Sequence, residues 1–113
     1  MLRIYFHLVK NALKLRCTKN YKAAFEFFTK SAQHCKDSYS MFHIGNMYLH
    51  GQYVTKDYEK VEEWYQKAAD HCKSGEYEYF LAKLYYDGNE MPQNYTKAFK
   101  YYTKAIEKSE NKN

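Results

Sequence analysis

No stretch of this chain approaches the ~20 consecutive apolar residues of a membrane-spanning helix, so no such span is expected. Cysteine is scarce: three residues, with no Cys-x-x-Cys pair, do not describe a disulfide framework. No Ser-His-Asp ordering, glycine-rich phosphate loop or carboxylate pair suggests a reaction centre. Acids are absent from Met1 to Phe25, where Arg3, Lys10, Lys14, Arg16, Lys19 and Lys22 stand alone. Amphipathic, acid-free character also suits an organelle transit segment, but this one is poor in Ser. Its apolar run Ile4–Val9 is too short and interrupted for a secretory signal. Leu2, Phe6, Val9, Leu13 and Cys17 share one helical face, and the stretch reads as a first helix closing the end of the structure.

The length of 113 residues suffices for one domain with a modest core. Fourteen Tyr and seven Phe, spread along the chain, supply large amphipathic packing units. The net charge of +5 conceals an uneven layout: +6 over residues 1–57, −4 over 58–94 and +3 over 95–113. A nucleic-acid groove would keep one sign along its length, so this alternation disfavours nucleic acid.

Shifted by 37 residues, the chain lies on itself. Asn20-Tyr21, Asp57-Tyr58 and Asn94-Tyr95 open equivalent segments. They lead into Phe27-Phe28-Thr29-Lys30-Ser31-Ala32, Trp64-Tyr65-Gln66-Lys67-Ala68-Ala69 and Tyr101-Tyr102-Thr103-Lys104-Ala105-Ile106. A fixed period of this length marks a solenoid, in which each unit buries its apolar face on its neighbour. Asn20, Asp57 and Asn94 stand where N-caps belong, and Tyr58, Val61, Trp64/Tyr65 and Ala68/Ala69 recur at helical spacing. Gly51 and Gly88 end first helices, and Gly75 can stop the helix before it in the left-handed conformation. The pattern predicts helices at about 2–16, 21–35, 38–50, 58–73, 75–87 and 95–109. Cys35 and Cys72 occupy equivalent positions; stacked helices about 8–10 Å apart exceed the ~7 Å reach of a disulfide. Reduced, mostly buried thiols of an intracellular protein are expected.

The run Ile44-Gly45-x2-Tyr48-x2-Gly51-x2-Val54-x2-Asp57-x2-Lys60-Val61-x2-Trp64-Tyr65-x-Lys67-Ala68-Ala69 resembles the Sel1-like repeat, a relative of the tetratricopeptide repeat. It returns as Leu81-Ala82-x2-Tyr85-x2-Gly88-x2-Met91-x2-Asn94-x2-Lys97-Ala98-x2-Tyr101-Tyr102-x-Lys104-Ala105. The resemblance covers about residues 20–108 and implies an all-α, right-handed α/α superhelical solenoid of helix-pair repeats. It implies a degenerate capping helix over 1–19, units at about 20–37 (a half), 38–74 and 75–108, and a polar tail over 109–113.

The resemblance further implies a non-catalytic adaptor or scaffold that binds a protein or peptide on the inner surface lined by first helices. The heptad-spaced set opposite the core is Tyr39, His43, Asn46 and His50, matched by Glu76, Phe80, Lys83 and Asp87. No cofactor or metal is expected: His43 and His50 lie seven residues, about 10.5 Å, apart on a helix. Zinc needs each ligand within ~2 Å of one ion. Glu62 and Glu63 read as a solvated flank. Phe99, Tyr102 and Ile106 have no following unit to cover them, so this face is expected to dock on a partner or on a second copy. The setting expected is intracellular and cytoplasmic, with no membrane contact. The competing functions are a polyanion- or RNA-binding helical repeat that uses the basic first half, and a self-associating structural protein.

Overall fold

The computed structural model describes residues 2–17 and 19–111, with side chains from Phe6 onward. Among them lie six helices and no strand: α1 (Leu2–Cys17), α2 (Tyr21–Cys35), α3 (Ser38–His50), α4 (Tyr58–Asp70), α5 (Glu76–Asp87) and α6 (Tyr95–Glu110). None is long and apolar enough to cross a membrane. The side chain expected at Leu2 and the last two residues of the 109–113 tail lie outside the described set; Ser109 and Glu110 still belong to α6.

Local chemistry explains most boundaries. The Asp57 carboxylate accepts from the amides of Glu59 (3.0 Å) and Lys60 (3.3 Å), and Asn94 accepts from Lys97 N (3.0 Å). Both satisfy orphan donors of a first helical turn. Asp37 does the same for α3, accepting from Tyr39 N and Ser40 N. Asn20 makes no side-chain cap. Its own amide is drawn to Leu15 O at 2.8 Å across the short α1–α2 link, where Lys19 is left-handed (φ 65°). Gly51 and Gly88 close α3 and α5 with φ of 65° and 68°.

Gly75 departs from expectation. It is left-handed (φ 81°), but it opens α5; α4 already stops at Asp70. A Cβ at Gly75 would sit 2.8 Å from Ala105 O of α6, so the chain there is pressed on a neighbouring backbone. Lys108 of α6 donates to Ala69 O (2.6 Å) and Cys72 O (3.0 Å), carbonyls at the end of α4. A cation suits that negative end of the helix. Lys108 also reaches the Glu78 carboxylate at 2.5 Å.

The helices pair in sequence, α1 with α2, α3 with α4 and α5 with α6, and α2 and α4 pass each unit on to the next first helix. First helices also touch one another: Arg16 of α1 reaches His43 of α3, and Phe42 of α3 lies 5.5 Å from Phe80 of α5. Second helices do likewise, since Gln66 of α4 donates to Tyr101 Oη of α6 (2.8 Å). Two layers result, with the core between them. Phe28, Met41, Ile44 and Met47 fill one half of that core; Val61, Leu81, Tyr85, Met91 and Tyr101 fill the other. Gly45 is small because a Cβ there would meet the Tyr65 ring at 2.7 Å.

Two expectations need correction. The cysteines are free, but Cys17 is exposed and Cys35 and Cys72 are half-buried, so none is a core thiol. Glu62 is not on a solvated flank. It accepts from the hydroxyls of Tyr85 (2.6 Å) and Tyr101 (2.5 Å) and from Lys97 Nζ (2.8 Å), joining α4 to α5 and α6. Burial pushes its pKa up, but the hydrogen bonds from Lys97, Tyr101 and Tyr85 outweigh that and hold it below the usual carboxylate value.

Candidate interaction face

The first helices present side chains at three- and four-residue spacing away from their partners. How open that face is depends on its neighbours. Helix α3 lies between α1 and α5, whereas among the described residues no further helix packs beyond α5 and α6. The same pattern of positions is therefore partly covered on α3 and open on α5.

Tyr39 is 42% exposed and sets its edge on His43 at 4.5 Å. His43 itself is a correction: it is 7% exposed and faces inward. Its ring stacks on Phe28 (5.0 Å, 10°) and meets Phe42 edge-on (5.4 Å). Arg16 Nη1 lies 3.3 Å from Nδ1, and Nε2 is buried without a partner. Burial, with the nearby Arg16 charge, lowers the His43 pKa to about 4; Asp37 opposes weakly. Asn46 is half-buried, and its Oδ1 accepts the Tyr65 hydroxyl. His50 is exposed, with Nε2 3.0 Å from the Glu90 carboxylate.

On α5 the expected set is open. Glu76, Phe80, Lys83 and Asp87 are all exposed, with Lys83 donating to Asp87 at 3.2 Å. Sequence reasoning missed Tyr79 (46% exposed) and Tyr86 (53%), which flank that set and widen it. Tyr79 and Tyr86 both contact the Tyr102 ring, at 5.8 and 6.4 Å, so Tyr102 is half-buried. Phe99 (75%) and Ile106 (58%) remain bare on α6. Tyr79 and Tyr86 are exposed because, among the described residues, no further helix lies against that side of α5.

The arrangement offers aromatic surface with a sparse set of charges. Among the described residues, no group of three or more His, Cys, Asp or Glu is placed to hold a metal ion.

Paired helices stacked in two layers with a 37-residue repeat define an all-α helical repeat solenoid. The chain belongs to the Sel1 repeat family, whose pattern matches residues 15–34, 38–71 and 75–110. A crystal structure of a Sel1 repeat protein from Oxalobacter formigenes is similar, with 30% identity and a TM-score of 0.57. The match covers 77% of this chain and 35% of that one, so the chain spans about a third of that protein's length. No curated protein matches the chain.

Proposed function

We propose that this chain is a non-catalytic protein-interaction module, an adaptor or scaffold that holds a segment of a partner protein against its first-helix face. The observation that carries the reading is the group of exposed rings there: Tyr39, Tyr79, Phe80 and Tyr86. Exposed aromatics on rigid helices give large contact area at low entropic cost, and such residues dominate binding energy at interfaces. Lys83 and Asp87, beside them, supply polar specificity. The intracellular, cytoplasmic setting is part of this reading.

Affinity capture with the purified chain tests it, using Tyr79→Ala/Phe80→Ala and Tyr39→Ala as controls. Partner proteins retained by the native chain and lost from the double variant are the expected result. Identical protein recoveries from native and variant chains would remove this face from consideration, and recovery of salt-labile nucleic acid would promote the polyanion function.

A second reading, self-association through α6, is favoured by comparing equivalent positions. Ala69 is 4% exposed on α4, covered by α5, whereas its counterpart Ile106 is 58% exposed on α6. Sedimentation across micromolar concentrations should show a dimer that Ile106→Glu weakens; a monomer throughout would rule this out.

A further inference from the structure

A groove of about 770 Å³ runs between the middle of α1, the α2–α3 corner, the end of α4 and the start of α5. Phe6, Val9 and Leu13 of α1 form one wall, and Tyr39 and Tyr77 form the other. That volume matches sites that enclose a few side chains of a ligand, in the range of about 300–1,000 Å³. Phe6 is 62% exposed, so a large apolar ring stands at its mouth.

The rim carries two cations against one carboxylate. Lys10 and Lys36 both line the groove. The Lys10 ammonium lies over the Phe6 ring at 4.8 Å, which places the cation beside the apolar wall. Lys36 is held in the left-handed conformation (φ 51°) at the α2–α3 corner. The wall helix α1 contains no acid at all. Asp37 is the one carboxylate in the lining, and it is already engaged. Its oxygens accept from Tyr39 N, Ser40 N and Ser40 Oγ, the last at 2.7 Å, so its charge is offset by the start of α3. Ser38, also in the lining, has a buried hydroxyl with no hydrogen-bond partner.

We propose that this groove binds a peptide segment that combines acidic residues with large apolar ones, set apolar-side-in between α1 and Tyr39/Tyr77 with its carboxylates on Lys10 and Lys36. The inference deepens the adaptor reading by naming the partner's chemistry and a second seat for it. Apolar walls without a cation would be met by any hydrophobic segment; two ammonium groups select one that brings acceptors. Complementary charge of this kind sets partner choice and association rate.

The test is selection of a random-peptide display library on the intact chain, on Lys10→Glu/Lys36→Glu and on Tyr79→Ala/Phe80→Ala, with thermal melts confirming that each variant folds. Lys10→Ala/Lys36→Asn is a milder pair, since Asn suits the left-handed corner. Peptides kept by the native chain and lost from both lysine variants should be net acidic with at least two large apolar residues. Fluorescence anisotropy of one such synthetic peptide should show a loss of about tenfold on charge reversal, and weakening with added salt.

Three outcomes overturn the proposal: no peptide recovered, recovered peptides that are neutral or basic, or binding indifferent to both lysine variants. Peptides lost only from Tyr79→Ala/Phe80→Ala would leave the adaptor reading standing and sink this one.

Discussion

Replacing His43 by phenylalanine should remove a pH-dependent weakness from the core. His43 is 7% exposed, stacked on Phe28 and edged by Tyr39 and Phe42. Its pKa falls from 6.5 to about 4, chiefly through burial and then through Arg16. The folded state thus holds the ring neutral where the unfolded chain protonates it. Between pH 6.5 and about 4 the unfolded state binds more protons, so stability falls as pH falls and is fully present only above 6.5. A shift of this size corresponds to about 3 kcal/mol lost by pH 4, since each unit is about 1.4 kcal/mol. A loss on that scale is a large fraction of a small domain's stability.

His43→Phe keeps an aromatic ring in the stack, removes the titration, and removes the buried, unpartnered Nε2. Urea denaturation of both chains at intervals from pH 7.5 to pH 4 isolates the effect, because other titrating groups cancel in the difference. At pH 7 the variant should be within about 1 kcal/mol of the native chain. As pH falls it should gain on the native chain by about 3 kcal/mol. Parallel stability curves for the two chains would refute the reasoning, as would a His43 resonance titrating near 6.5.

Three further outcomes test the packing. Glu62→Gln should cost about 1–3 kcal/mol by urea denaturation, because the Tyr85, Tyr101 and Lys97 bonds lose their anionic acceptor. Its folded pKa is lowered, so the native chain should lose this contribution as pH falls through the acid range, and the variant should not. Gly45→Ala should destabilise by about 1–3 kcal/mol, since the added carbon lies 2.7 Å from the Tyr65 ring, and a thermal melt would register it. Lys108→Met should cost about 3 kcal/mol by leaving the Glu78 carboxylate buried at 7% exposure without its cation; an unchanged melting temperature would show that the pair is dispensable.

Much of the helix framework was legible because it follows from local chemistry. Helices α2 and α3 have the expected bounds, and Gly51 and Gly88 end their helices as expected. Two caps, Asp57 and Asn94, work as their positions predict, and Asn20 does not because the α1–α2 link pulls its backbone inward. Helix α4 stops short of the expected residue 73, where Lys108 and Gly75 bind its end to α6. Exposure of the expected positions was legible on α5, and on α3 only at Tyr39 and His50. Spacing marks which residues point away from a partner helix; it does not say whether α1 and α5 then close over them. Glu62 left one trace: a carboxylate stands where the other units carry Phe25 and Phe99.

Repetition at 37 residues determined by itself that this chain is a stack of helix pairs, because a period of that length carries the caps Asp57 and Asn94, the glycines Gly51 and Gly88 and the apolar stripe from one unit into the next. Tertiary structure alone decided the identity of the surface. His43 became an internal group, Asn46 a partner of the Tyr65 hydroxyl, Glu62 the junction of three helices, and Phe6 came to stand across a groove from Tyr77. Each of these depends on contacts between residues tens of positions apart, where neighbouring units differ in sequence. Local patterns repeat from unit to unit; the burial, charge and pKa of a given side chain depend on what the next unit lays against it.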